Sequence, residues 1–219
     1  MTSFRCEAIL FDLDGVLVDS TQCVARIWAN WAREHGLDPD YIVHVTHGMR
    51  TIELVRQVAP QLDAQAETDK IEQQELNDTD GLLVLPGAKE LLHALPPDRY
   101  TIVTSGTRRL ATRRLQVAGL PVPPRMITAD EVIHGKPNPE PYLAGAKILG
   151  REPQQCLVFE DAPSGIRAGK AAGMTVIGLT TTYPREQLTG ADTIAASLAA
   201  VQVRTEPSGQ LAVTVESAE

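Results

Sequence analysis

Four short apolar runs rich in Val, Ile and Phe, at positions 8–11, 100–103, 156–159 and 175–179, limit the folds open to this chain more than any other feature. Each is too short for a helix and has the composition of a strand buried on both faces. The stretches between them, 88–95, 108–118, 141–149 and 165–172, place apolar residues at helical intervals. This alternation predicts a parallel sheet covered by helices, an α/β fold with a Rossmann-like three-layer core. A weaker run at 125–128 is expected to add one more strand.

The segment from about 20 to 83 breaks the rhythm. It carries Trp28, Leu54, Val55, Val58 and Ile71 at helical spacing and no clear strand. It is read as an inserted helical domain spanning 18–83, with the core built from 1–17 and 84–219. Gly15 on the way in, and Gly81, Pro86 and Gly87 on the way out, are turn or hinge candidates. The tail from 201 to 215 alternates apolar and polar residues around Pro207-Ser208-Gly209, the pattern of a hairpin.

Composition excludes some partners. A formal charge of −8 provides no basic surface for a phosphate backbone, so nucleic acid is not an expected partner. No apolar run is long enough to cross a bilayer and the first seven residues lack signal-peptide character, so a cytoplasmic protein with no membrane partner is expected. Cys6, Cys23 and Cys156 are odd in number and have no CxxC spacing, which fits reduced thiols. Nothing fixes an oligomeric state; a monomer is the expectation.

In open parallel sheets, ligands bind at the carboxyl ends of the strands. Three of the four runs end there in reactive groups: Asp12-Leu13-Asp14-Gly15, Thr104-Ser105-Gly106-Thr107 and Glu160-Asp161. Carboxylates brought from two strands to one edge repel each other unless a cation lies between them, and a hard ion such as Mg²⁺ suits oxygen ligands and a substrate phosphate. Asp12 and Asp14 fall on one face. One can attack phosphorus while the other, raised by its like-charged neighbour, holds a proton for a leaving alcohol. The hydroxyls of Thr104 and Ser105, the open backbone at Gly106, and the free N–H groups of the helix starting near Thr107 are expected to face the same anion. Lys136, in Gly135-Lys136-Pro137-Asn138-Pro139-Glu140, is framed by two prolines that would hold its ammonium near the transferring oxygens.

Taken in this order, the motifs resemble the haloacid dehalogenase superfamily. Phe11 to Leu17 is similar to its first motif, Thr104 with Ser105 to its second, Lys136 to its third and Glu160-Asp161 to its fourth. The helical insertion between the first and second motifs is similar to the family's type-1 cap. His47-Gly48-Met49-Arg50-Thr51, Val103 to Thr107 and Val158 to Gly165 look like the sugar- and polyol-phosphate phosphatases of that family.

The resemblance implies a Mg²⁺-dependent phosphatase acting on a small phosphorylated sugar or polyol through an aspartyl phosphate. Asp12 would be nucleophile and metal ligand. Asp14 would be general acid and then base, and would offer its backbone carbonyl to the metal. Thr104, Ser105, Gly106 and Lys136 would bind phosphoryl oxygens, and Asp161 with Glu160 would complete the metal site directly or through water. In the cap, Arg50 would touch the polar part of the substrate with His47 beside it. The mutase reading is weakened because related mutases carry a histidine where this chain has Val24. Phosphonate hydrolases use a cap lysine, and here only Lys70, in a charged stretch, is available. Dehalogenases lack a counterpart of Asp14. A phospho-acceptor signalling domain would place its acidic pair first, not last.

Overall fold

In the computed structural model, which describes residues 1–46 and 48–218, the apolar runs assemble one five-stranded parallel sheet. Its order is β5 (Tyr100–Ile102), β2 (Ala8–Phe11), β6 (Cys156–Glu160), β7 (Thr175–Leu179) and β8 (Thr193–Ala195). Every residue of β2, β5 and β6 is buried, which is why those strands show no polar face in the sequence.

Alternate side chains of β2 go to opposite faces and so divide the core into layers. Ile9 and Phe11 pack with Leu91 and Leu92 of α5 (Ala88–Ala94) and with Ala111 and Leu115 of α6 (Arg108–Val117). Ala8 and Leu10 pack with Tyr142 and Ala146 of α7 (Glu140–Ile148) and with Ile166 and Ala168 of α8 (Pro163–Ala171). Across the sheet, Phe11 stacks on Phe159 with ring centroids 5.4 Å apart.

The run at 125–128 does not form the expected strand. Ile127 makes a single parallel bridge to Val103, donating to the carbonyl of Ile102 and accepting from the N–H of Thr104. Two prolines precede it at 123–124, and Thr128 immediately caps a 3-10 turn at Ala129–Glu131, so pairing stops after one residue. The hairpin expected at the tail is present as β9 (Val201–Thr205) and β10 (Leu211–Val215). β10 also pairs with β1 (Thr2–Cys6), a strand not anticipated, and this antiparallel sheet buries Leu211, Val213 and Val215 on the α5 side.

The insertion contributes α1 (Thr21–Glu34), α2 (Pro39–Val45), α3 (Thr51–Val58) and α4 (Ala64–Asn77). These helices close over their own core of Trp28, Trp31, Ile42, Leu54, Val55 and Ile71. Asp38 and Asp63 cap α2 and α4 by accepting two backbone N–H groups each, which fixes where those helices start. Chain entry and exit lie side by side, because β3 (Val18–Asp19) pairs antiparallel with β4 (Leu83–Val84). Among the described residues, no helix is long and apolar enough to cross a membrane.

Candidate active site

The carboxyl end of β2 delivers Asp12, whose backbone N–H donates to the carbonyl of Phe159 on the neighbouring strand. Asp12 is 6% exposed and Lys136 is 3% exposed, so their pairing is a buried one. Lys136 Nζ lies 2.9 Å from Asp12 Oδ1 and donates to Glu160 Oε1 at 2.7 Å and to the Val103 carbonyl at 3.1 Å. Burial alone would discharge this lysine, but the carboxylates of Asp12 and Glu160 outweigh it and hold the ammonium above the ordinary lysine range.

Glu160 is fully buried, and its carboxylate is occupied on both oxygens. Oε1 also accepts from Tyr142 Oη at 2.8 Å, and Oε2 accepts from the N–H groups of Asp161 and Ala162 at 3.0 Å each. α8 can start this close only because residue 165 is glycine; a Cβ there would overlap Glu160 Oε1. Glu160 therefore orients Lys136 with great rigidity. Burial pushes Asp12 up to about 7 against the pull of Lys136, with Glu160 and Asp14 adding to the rise. Asp161 is raised well above the carboxylate range, first by burial and then by Glu160 and Asp12.

Carboxylate oxygens of Asp12, Glu160 and Asp161 lie within 4.8 Å of one another. With all three carboxyls ionised, the single ammonium of Lys136 would leave two negative charges uncompensated, which is why burial and mutual repulsion raise Asp12 and Asp161. Asp161 Oδ1 is buried without a hydrogen-bond partner among the described residues. An orphaned carboxylate oxygen, an all-oxygen donor set and a deficit of two charges fit a hard divalent cation. Glu160 belongs to the cluster by distance, but its hydrogen bonds leave Asp12 and Asp161 with more free lone pairs. Gly15, at φ 78°, gives the loop after β2 its turn, and a Cβ there would overlap Asp161 Oδ2.

Asp14 points elsewhere. Its Oδ1 accepts from Ser20 Oγ at 2.7 Å and its Oδ2 from Arg114 Nη1 at 2.6 Å, so its side chain is not part of the acidic cluster. Arg114, on α6, is buried and also reaches Glu75 of α4 at 3.3 Å. Thr104 Oγ1 accepts from the Gly106 N–H at 3.1 Å, and its own O–H has no acceptor among the described residues. Ser105 Oγ donates to the Gly48 carbonyl of the insertion at 3.2 Å.

The expectation that α6 turns free N–H groups toward an anion does not hold. Arg108 N donates to Asp130 Oδ2 and Leu110 N to Thr107 Oγ1, because the turn at Ala129–Glu131 folds Asp130 back onto the helix start. Arg50 also lies away from Asp12. It bonds Glu53 and the carbonyls of Val132 and Ile133, packs over Gly135, and lines an adjacent cavity, so it joins the insertion to the core. His47 lies outside the described residues.

Asp12, Asp14, Thr104, Ser105, Gly106 and Asp161 share one cavity of about 80 Å³, roofed by Val24, Trp28, Met49, Leu54 and Glu75 of the insertion. Four residues with clear structural parts went unread in the sequence: Ser20, Glu75, Arg114 and Tyr142. Arg114 and Glu75 had a signal, since each lies four residues beyond a buried aliphatic side chain, Leu110 and Ile71, and thus on the buried face of its helix.

A parallel sheet with acidic groups and a buried lysine at its carboxyl edge, roofed by an inserted helical cap, defines a capped enzyme with a Rossmann-like core. Residues 6–173 match the family described as haloacid dehalogenase-like hydrolase, and the chain belongs to that family. It is 41% identical to hexitol phosphatase A of Escherichia coli (strain K12), over 95% of this chain and 99% of that protein. It is 36% identical to glycerol-1-phosphate phosphohydrolase 1 of Saccharomyces cerevisiae (strain ATCC 204508 / S288c), over 83% of this chain and 77% of that protein. A hydrolase from Pseudomonas syringae superposes with a TM-score of 0.79 at 28% identity, covering 88% of this chain and 94% of the other.

Proposed function

We propose that this chain is a Mg²⁺-dependent phosphatase that hydrolyses a small sugar or polyol phosphate monoester through an aspartyl phosphate on Asp12. The observation that carries the reading is the buried Asp12–Lys136–Asp161 constellation, with an Asp161 oxygen that has no partner among the described residues, opening into the cavity that Asp14 also lines. The names of its hexitol- and glycerol-phosphate relatives support the substrate class.

In this reading Asp12 attacks phosphorus in line; the new bond is Oδ–P, and the bond from phosphorus to the ester oxygen breaks. A protonated Asp14 gives its proton to the departing alkoxide. Asp14, now a carboxylate, takes a proton from water as the water oxygen attacks the acyl phosphate, and the Asp12 carboxylate and inorganic phosphate are released. Lys136 stabilises negative charge on Asp12 and on the transferring oxygens, held in place by Glu160, which is held in turn by Tyr142. Thr104, with its O–H uncommitted, and the backbone N–H of Ser105 supply further donors, while the Gly106 N–H holds the Thr104 hydroxyl in place. Mg²⁺, bound by Asp12, Asp161 and the Asp14 carbonyl, would neutralise the two surplus charges and draw the phosphate toward the nucleophile.

The insertion is docked over the site through Ser105 to Gly48, Thr107 to Glu72 at 2.6 Å, and Arg50 to Val132 and Ile133. A lid so placed excludes bulk water and admits small esters rather than phosphorylated protein chains. Val24, apolar in the roof, leaves no imidazole there for a mutase. Three free, buried cysteines fit a reducing cytoplasm. The test is phosphate release from a panel of hexose, hexitol and glycerol phosphates with and without Mg²⁺. Turnover that needs Mg²⁺ supports the reading; none from any member refutes it.

A further inference from the structure

We propose that Arg114 is a positioning residue for Asp14, and that Glu75 makes this positioning depend on the docked cap. The inference rests on the reading of Asp14 as the proton carrier. Both Asp14 oxygens are held, one by Ser20 at the cap entrance and one by Arg114 on core helix α6. The Arg114 contact at 2.6 Å is short even for a charge-assisted bond. Arg114 reaches further, to Glu75 on cap helix α4, so a chain of charged groups runs from the reaction centre into the lid. Glu75 and Arg114 are buried at the cap–core junction and both line the cavity that contains Asp12.

A carboxylate has about four lone-pair sites, and two donors leave room for one more contact on each oxygen. Arg114 and Ser20 thus fix the plane of the Asp14 carboxylate without filling the positions from which it would exchange a proton with a leaving oxygen or a water. Of the two anchors, Ser20 belongs to the cap itself, as the residue that starts α1, whereas Arg114 is the core anchor and meets the cap through Glu75 of α4. Undocking α4 removes Glu75 and frees the guanidinium to turn, so the proton carrier is aligned when the lid is down. Helix α6 has several arginines, but Arg114 is the one on its buried face, beside Leu110, Ala111 and Leu115.

The test uses the leaving group. An alkoxide needs a proton as it departs, whereas nitrophenolate leaves readily without one, so only the alkyl ester depends strongly on an aligned acid. The quantity read is the ratio of kcat/KM for glycerol 1-phosphate or sorbitol 6-phosphate to kcat/KM for p-nitrophenyl phosphate. Because kcat/KM reports the steps through phosphoryl transfer, and the ratio cancels the fraction of folded enzyme, partial misfolding does not imitate the effect.

In Arg114→Met the ratio is expected to fall about 100-fold, the scale of a misplaced catalytic group. Arg114→Lys and Glu75→Gln should move it the same way by a smaller factor, and they carry the test if Arg114→Met does not fold. Asp14→Asn should lower the ratio too, and Asp14→Asn with Arg114→Met should lower it no further, because the arginine acts through the aspartate. A ratio within about threefold of wild type in all the Arg114 and Glu75 variants, or losses that multiply in the double variant, overturns the proposal and leaves Arg114 a structural residue. Failure of the wild type to hydrolyse either ester is a separate result: it removes the phosphatase reading, and this inference with it.

Discussion

Without bound metal, the protein is expected to lose stability as pH rises from about 5 to 8, and Mg²⁺ should restore it chiefly at the upper end. Asp12 is raised from 3.8 to about 7, mainly by burial, and Asp161 and Glu75 are shifted in the same direction. A carboxyl whose folded-state pKa is raised binds its proton more tightly when folded, so its contribution to stability is fully present below the ordinary carboxylate pKa. That contribution is lost as pH climbs to and through the folded value. For Asp12 the shift of about three units corresponds to roughly 4 kcal/mol. The lowered carboxylates, Glu67, Asp78, Glu131 and Glu140, act with opposite sign but below about pH 4.5, outside this window. About two of those three Asp12 units, roughly 3 kcal/mol, fall above pH 5, so at about 2–4 °C per kcal/mol for a chain of this size the melting temperature in EDTA should drop by roughly 5–10 °C between pH 5 and pH 8. The assay is a set of thermal melts across that range, with EDTA or with saturating Mg²⁺, on wild type and on Asp161→Asn. Asp161→Asn removes one of the repelling charges, so its metal-free melt should be flatter and its response to Mg²⁺ smaller. A metal-free melting temperature that stays level or rises with pH, or an equal Mg²⁺ effect at pH 5 and pH 8, would refute the reasoning.

Three further substitutions probe the same cluster. Lys136→Met leaves Asp12 and Glu160 facing each other without a cation, and it should cost about 3–5 kcal/mol in chemical denaturation as well as abolish turnover. Gly165→Ala places a methyl group on Glu160 Oε1 and should cost about 1–3 kcal/mol or more; an unchanged denaturation midpoint would show that α8 can move aside. Tyr142→Phe removes one of the donors to Glu160 and should lower stability by about 1 kcal/mol, with a modest loss of kcat as Lys136 loosens, both read from denaturation and steady-state rates.

Much of this arrangement was legible in the sequence, for physical reasons that can be named. β2, β5, β6 and β7 could be read because strands buried on both faces must be apolar throughout, and the groups at their carboxyl ends follow from topology. β1 and β8 escaped notice because the first alternates weakly at a sheet edge and the second is three residues long. The 125–128 run had the composition of a strand, but its pairing is limited to one bridge by the chain on either side. Asp12, Lys136 and Asp161 converge as their motifs suggested. Arg114 stands beside Arg108, Arg109 and Arg113, and only its place on the face shared with Leu110 sets it apart from them. Glu75 looked like one more acid in a charged helix until the face it shares with Ile71 was known to be buried. Arg50 makes its contacts to carbonyls far along the chain, and no local pattern announces such docking.

The central claim, that Asp12 carries the phosphoryl group, is tested most directly by trapping it. Asp14→Asn should slow hydrolysis of the acyl phosphate, while nitrophenolate departs without a proton from residue 14, so this variant, mixed with p-nitrophenyl phosphate and Mg²⁺ and quenched in acid, should yield a peptide containing Asp12 with the mass of one added phosphoryl group. The same peptide should stay unmodified when Asp12→Asn is added to Asp14→Asn. Phosphate release by the wild type with no modification of Asp12 in the trapped variant, or with the phosphoryl group on another residue, would contradict the account.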